Sequence, residues 1–242
     1  ASHAEQFSKR HGRKRPPRDG DSTVLAKSLV ELDRPESGGF FSAKELDTLL
    51  GSRRLWATML RFAAWSANKW REVDSGKAAG HNWASFCKER IHTEDIGTPD
   101  RAFRALVAAW DELPQHERGD VLKLVLGTED LKRAYRQVGV APHHLAFNIT
   151  LLHMFGDPAF IMVFALVFGL ASSVLQFNRI AEFLTYFAQQ GLLLVMYHYY
   201  DDFLHVDDAA LAPRGRAMFL ELLAMLGWKA DPGKAQVCAP EC

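Results

Sequence analysis

Tyr199-Tyr200-Asp201-Asp202 lies between two apolar runs, residues 192–197 before it and Phe203, Leu204 and Val206 after it. A continuous apolar run followed by a short polar break and a second run reads as two strands of a hairpin with the Asp pair in its turn. Adjacent carboxylates on a stiff turn are ionised and partly exposed, which suits hard divalent cations. The competing reading is that Asp201 and Asp202 only form the turn, a position Asp favours for its local backbone hydrogen bonds. A third carboxylate upstream, Asp130, weighs toward the metal site.

The chain has 242 residues, enough for one large domain or two smaller lobes. Hydrophobic residues make up 48% and charged residues 24%, the balance of a folded globular chain. Basic and acidic residues number 29 each, so net charge supplies no bulk attraction for nucleic acid. The three cysteines, Cys87, Cys238 and Cys242, are odd in number and lack zinc-finger spacing, which fits reduced thiols and an intracellular location, cytoplasmic or nuclear. The start of the chain has no apolar signal segment, and the apolar run 160–170 falls short of the ~20 residues of a membrane span, so no membrane partner is expected. That run reads as a buried strand entering a turn. The missing initial Met suggests a piece of a longer product.

Residues 1–41 read as a basic, disordered arm or linker, because Lys9, Arg10, Arg13, Lys14, Arg15 and Arg18 surround Pro16, Pro17 and Gly20. Ser42 with Glu45 forms a capping box before Leu46, Leu49 and Leu50, and a helix follows. Leu55, Met59, Phe62, Ala63 and Trp65 then recur at helical spacing and predict a second helix. Lys69-Trp70-Arg71 precedes a loop at Gly76 and Gly80 and reads as a charged strand edge able to meet a triphosphate, Arg bidentately and Lys as a point charge. A further helix is expected through Ala102, Leu106 and Trp110. His143-His144, His198 and His205 lack the third ligand of a zinc site and read as structural or exposed. Residues 121–126 predict a strand, Gly127-Thr128 a turn, and Asp130 the strand end, with Tyr135 shortly after. Val174, Phe177, Ala181, Leu184 and Phe187 predict an amphipathic helix. Pro213 opens another, with Met218, Leu222, Leu223 and Leu226 on one face and Gly227 at its end, and Asp207-Asp208 is assigned to the loop before it.

Five of these segments together resemble the reverse transcriptase family of retrotransposon-like elements. Asp130-x-x-x-Ala134-Tyr135-Arg136-Gln137 is similar to its first palm motif, and Tyr199-Tyr200-Asp201-Asp202 to its Y-x-D-D motif. Phe168-Gly169-Leu170-Ala171-Ser172-Ser173 with Phe177-Asn178-Arg179 resembles the F-G-L…F-N-R segment, although Ser173-Val174 stands where the family usually has Ala-Pro. Leu226-Gly227-Trp228-Lys229 with Asp231-Pro232-Gly233-Lys234-Ala235-Gln236 resembles the L-G-[WF]…N-P-x-K-[ST]-Q element, with Asp231 for a frequent Asn. Lys69-Trp70-Arg71 with Val73-Asp74 resembles K-W-R…V-D of the fingers.

The resemblance implies an α+β polymerase palm, an antiparallel sheet backed by helices, with a partial fingers region and no thumb. It assigns 42–120 to the helical N-terminal region and fingers, 121–237 to the palm and 238–242 to a truncated tail. The implied function is RNA-directed DNA polymerisation, nucleotidyl transfer from a dNTP to a primer 3′ hydroxyl on an RNA or DNA template. Two Mg²⁺ or Mn²⁺ ions about 3.5–4 Å apart support such chemistry, with Asp130, Asp201 and Asp202 as implied ligands and catalytic acids. By the same resemblance Tyr135 is the steric gate, Lys69 and Arg71 hold the triphosphate, and Phe168, Gly169 and Tyr199 contact substrate. Lys234 lies on the pyrophosphate side. A thumb and an RNase H domain are the implied neighbours in a polyprotein. The alternative is a catalytically inactive, polymerase-derived nucleic-acid-binding or scaffold module.

Overall fold

A computed structural model describes residues 6–7, 11–16, 18–52, 55–85, 90–91, 94–95, 97–119 and 121–236. Lys9, Arg10 and Pro17 of the expected basic arm, the three cysteines and the tail 238–242 lie outside the described residues. The architecture is α+β, in two compact units whose segments interleave along the chain instead of following one another. The first comprises the described parts of Ala1–Glu89 and Tyr135–Leu175, the second those of Arg90–Ala134 and Gln176–Cys242.

In the first unit, strands β1 (Ser37–Phe41), β2 (Thr58–Ser66), β3 (Lys69–Ser75), β5 (Ile149–Met154) and β6 (Asp157–Val163) form a sheet in the order β1-β6-β5-β2-β3. All neighbours are antiparallel except β2 and β5, which run parallel, so the wholly antiparallel sheet expected from sequence does not describe this unit. The central strands are apolar on both faces, which is why residues 149–163 carry no clean alternation. Leu152, Ile161 and Val163 pack with Met59 and Val24 on one side. Ile149, Leu151, Phe160 and Met162 pack with Leu46 and Trp56 in a second cluster.

Two expectations fail here. The supposed disordered arm supplies helix α1 (Asp21–Leu32) and edge strand β1. Arg15 pairs with Asp21 at 2.8 Å, and Val24 is buried among strand residues, so one of the segment's cations is paired and its apolar side is used. The second helix predicted from Leu55, Met59, Phe62, Ala63 and Trp65 is instead β2. Seven consecutive residue pairs of β2 with β3, Leu60 opposite Ser75 through Ser66 opposite Lys69, override the fortuitous helical spacing. Helix α2 (Ala43–Leu50) does form, with both hydrogen bonds of the Ser42/Glu45 capping box in place. A short helix α3 (His81–Ala84) follows the Gly76 and Gly80 loop.

In the second unit, β4 (Leu124–Asp130), β8 (Asp202–Asp208) and β7 (Val195–Tyr199) form an antiparallel sheet in the order β4-β8-β7. Helices α4 (Thr98–Glu112) and α6 (Ala212–Met225) accompany it, with α5 (Ala171–Gly191) from Gln176 onward. Phe177, Ala181, Leu184 and Ala188 are wholly buried at helical spacing, and Phe203 of β8 meets Phe219 of α6 with ring centres 5.2 Å apart. The hairpin alternates up to its far end, where Val206 is also buried: Phe203, His205, Met196 and His198 face inward, while Asp202, Leu204, Tyr197 and Tyr199 share the other face.

The expected turn at Gly127-Thr128 is mid-strand in β4, where Gly127 pairs with His205 and Thr128 with Leu204; ladder pairing outweighs Gly's turn preference. Asp207 and Asp208 likewise end β8, opposite Val125 and Leu124, and are not loop residues. Asp208 Oδ2 accepts a hydrogen bond from the Lys123 backbone N–H, which fixes it at the sheet end. Strand β6 stops at Val163, so the apolar run 160–170 is only partly strand. Among the described residues no helix is long and apolar enough to cross a membrane.

Candidate active site

The β7–β8 hairpin turns through Tyr200 and Asp201, and Tyr200 adopts the left-handed backbone at φ 55°. A tyrosine there costs roughly 1–2 kcal/mol relative to ordinary backbone, a strain that tends to persist where a turn must present particular side chains. The pairing register then sets one row across the sheet: Asp130 of β4 stands opposite Asp202 of β8, and Asp202 opposite Tyr199 of β7. Residues directly opposed in antiparallel strands have Cβ atoms about 4.5–5.5 Å apart, and like charges so placed repel.

A cation offsets this repulsion. Residues 229–236 run along the outer edge of β4, with Asp231 N–H donating to Asp130 O at 2.8 Å and Gln236 exchanging backbone bonds with Thr128 at 3.0 and 3.1 Å. The turn between these anchors carries Lys234, whose Nζ lies 2.5 Å from Asp130 Oδ2. The hydrogen bond to Asp130 raises the Lys234 pKa. Burial raises the Asp201 carboxyl, with Asp202 and Asp130 adding to the rise and Lys234 opposing it. Burial and Asp130 likewise raise Asp202.

On the inward face directly beside this row, buried Glu129 is ion-paired with Arg216 of α6. No sequence motif singles out this pair. An acid within an apolar strand, with an Arg at a later helix position, was the available signal.

Among the described residues no three His, Cys, Asp or Glu side chains are drawn together closely enough to hold a metal ion. The acids nevertheless fit a hard cation in kind: their donors are oxygens only, their charges interact unfavourably, and an ammonium lies beside Asp130.

The other predicted residues belong to the first unit. Tyr135 is buried and stacks edge-on against the exposed Phe168, with ring centres 5.4 Å apart. Gly169 has φ 109°, and a Cβ there would lie 2.0 Å from the Asp74 carbonyl oxygen, so only glycine allows this approach. Asn82 clamps the same turn: its Nδ2 donates to Gly169 O at 3.2 Å and its Oδ1 accepts from Ala171 N at 2.9 Å. Lys69 and Arg71 alternate on β3, an edge strand, both exposed on one face and without an ion pair among the described residues.

Beneath Asp74 lies a charge cluster that the sequence reading also missed. Arg61 of β2 is fully buried and pairs with Asp74 at 2.8 Å, Glu31 at 2.5 Å and Glu72 at 3.1 Å. Arg136 joins it through Glu31 at 2.7 Å and donates to Leu166 O at 3.3 Å. Burial raises the Glu72 carboxyl while Arg61 holds it down. The cluster ties α1, β2 and β3 to the segment that carries Tyr135 and Arg136.

No protein-family model matches the chain, and no curated protein matches it.

Proposed function

We propose that the chain is the palm-and-fingers core of an RNA-directed DNA polymerase. The observation that supports this reading best is the row of Asp130 and Asp202 across the β4–β8 ladder with Asp201 in the adjoining turn. Asp130 and Asp201, with Asp202 as a weaker third, would hold Mg²⁺ or Mn²⁺. Two such ions, when bound, neutralise phosphate charge and lower the pKa of the attacking hydroxyl. Lys234 holds the charge of Asp130 in check and offers a proton donor at Nζ. Lys69 and Arg71 present exposed cations suited to a triphosphate, and Tyr135, braced by Phe168, is suited to sense the sugar. RNA or DNA template with primer, and dNTPs, are the corresponding substrates. The resemblance of the five sequence motifs adds to the reading.

Primer extension on poly-rA with oligo-dT, in Mg²⁺ or Mn²⁺, tests it. Extension by this chain that disappears in Asp201→Ala is the expected result. The Lys234–Asp130 ion pair favours one other reading, a polymerase-derived module that binds nucleic acid without catalysis, because an ammonium then substitutes permanently for the metal. Folded protein that binds primer-template yet extends nothing in either metal establishes that second reading.

A further inference from the structure

A cavity of about 580 Å³ opens in the first unit, lined by residues from 11–16 and 18–21 and by strand β2. It shares no residue with the acidic row, and its chemistry is independent of the polymerase reading. One wall is cationic, formed by Arg13, Lys14, Arg15 and Arg18. Arg15 is committed, since both its terminal nitrogens bond Asp21 at 2.8 Å, and Lys14 reaches Asp157 at 3.2 Å. Arg13 and Arg18 have no ion-pair partner among the described residues, and Asp19 is the acid left to oppose them. The same cavity is also lined by the apolar Leu60, Ala63 and the partly exposed ring of Phe62.

The backbone bearing these arginines is pinned. Arg15 N–H donates to Gly156 O at 3.0 Å, and the buried His153 ring donates through Nε2 to Arg13 O at 3.2 Å. Gly156 permits the approach: a Cβ there would sit 2.3 Å from Arg15 O. Burial, and then Arg15, lower the His153 pKa, which favours the neutral ring.

Two guanidinium forks in one cavity with aromatic and aliphatic side chains match a ligand with phosphoryl oxygens at one end and a flat ring at the other. The volume falls within the range of about 300–1,000 Å³ typical of small-ligand sites. We propose that this cavity binds a nucleoside phosphate, with phosphate on Arg13 and Arg18 and base against Phe62 and Leu60. The same chemistry is offered by a free nucleotide and by the 5′-phosphorylated end of a nucleic acid strand.

The test is a titration of the whole chain with a fluorescent ATP analogue in EDTA, which removes any metal-dependent nucleotide binding elsewhere. ATP is expected to displace the probe, with adenosine and pyrophosphate each at least tenfold weaker. Arg13→Gln with Arg18→Gln is expected to weaken the probe at least tenfold, and each single variant to weaken it less. Phe62→Ala is expected to weaken ATP while leaving pyrophosphate unchanged. A 5′-phosphorylated oligonucleotide that competes better than ATP, and better than its 5′-hydroxyl form, assigns the ligand to a strand end; the reverse order assigns it to the free nucleotide. Absence of saturable binding overturns the proposal, as does adenosine equal to ATP, or a double or single Arg variant of unchanged circular dichroism that binds like the parent.

Discussion

Asp130 and Asp202 stand directly opposite each other across the β4–β8 ladder, on the face of the sheet that also carries Tyr199. Two carboxylates so placed destabilise the strand pair unless a cation intervenes. Lys234 supplies that cation from the segment bridging along the free edge of β4. The hairpin end thus carries unfavourable charge whose relief is left to an exposed side chain, an arrangement that a bound divalent ion would also relieve.

Removing the ammonium exposes this directly. Lys234→Ala leaves the nearly buried Asp130 without its ion pair, and because Lys234 is itself well exposed the loss is about 1 kcal/mol. Thermal unfolding in EDTA should show a lower Tm for the variant. Millimolar Mg²⁺ should raise the variant's Tm more than the parent's.

The pH dependence follows from Asp201 and Asp202. Burial raises both pKa values in the folded chain, with Asp202 and Asp130 adding to the rise at Asp201 and Asp130 to that at Asp202, so just above the ordinary aspartate range the folded state holds more protons than the unfolded. Their contribution therefore favours folding at low pH and declines as pH rises through the raised values. Asp201→Asn with Asp202→Asn should flatten that decline, measured as the urea midpoint against pH in EDTA.

Arg61 is fully buried among Asp74, Glu31 and Glu72. Arg61→Met strands these acids and should cost about 3–5 kcal/mol in urea unfolding. Arg61→Lys should recover little of it, because one ammonium cannot reproduce the forked bonds to both Asp74 oxygens at 2.8 and 3.1 Å.

Two left-handed glycines give a paired comparison. Gly169→Ala drives a Cβ into the Asp74 carbonyl and should cost more than about 3 kcal/mol. Gly227, at φ 81°, has nothing within 4 Å of its would-be Cβ, so Gly227→Ala should cost only the backbone term, about 1 kcal/mol. Denaturant midpoints of the two variants measure the difference.

Tyr200 carries backbone strain at φ 55°. Tyr200→Asn should stabilise the hairpin by about 0.5–1 kcal/mol, since Asn tolerates that conformation. Hydrogen exchange at the β7 and β8 amides should slow accordingly.

The legible parts were those with a local cause. The Ser42/Glu45 box, the helices through Trp110 and Phe177, Pro213 at the start of α6 and Gly227 past its end all depend on neighbours within a few residues. The β7–β8 hairpin was readable too, because apolar runs flank a polar turn. The strand identity of 58–66 was not, since Leu55, Met59, Phe62 and Ala63 satisfy helical spacing and only pairing with β3 and β5 overrules it. Glu129–Arg216 and the Arg61 cluster were missed because their partners are far apart in sequence.

By itself the sequence determined which residues carry charge and some of the places where they stand: Asp130 at a strand end, Asp201 and Asp202 at a hairpin tip, Lys234 in a turn beyond α6. Only the tertiary structure decided that Asp130 faces Asp202, that Lys234 reaches Asp130, and that Arg13 and Arg18 share a cavity with Leu60 and Phe62 of β2. The physical reason is that capping, turn formation and periodicity act over a few residues along the chain. Strand register, ion pairing and the walls of a cavity arise from long-range pairing, where a shift of one residue would place every carboxylate on the other face of the sheet.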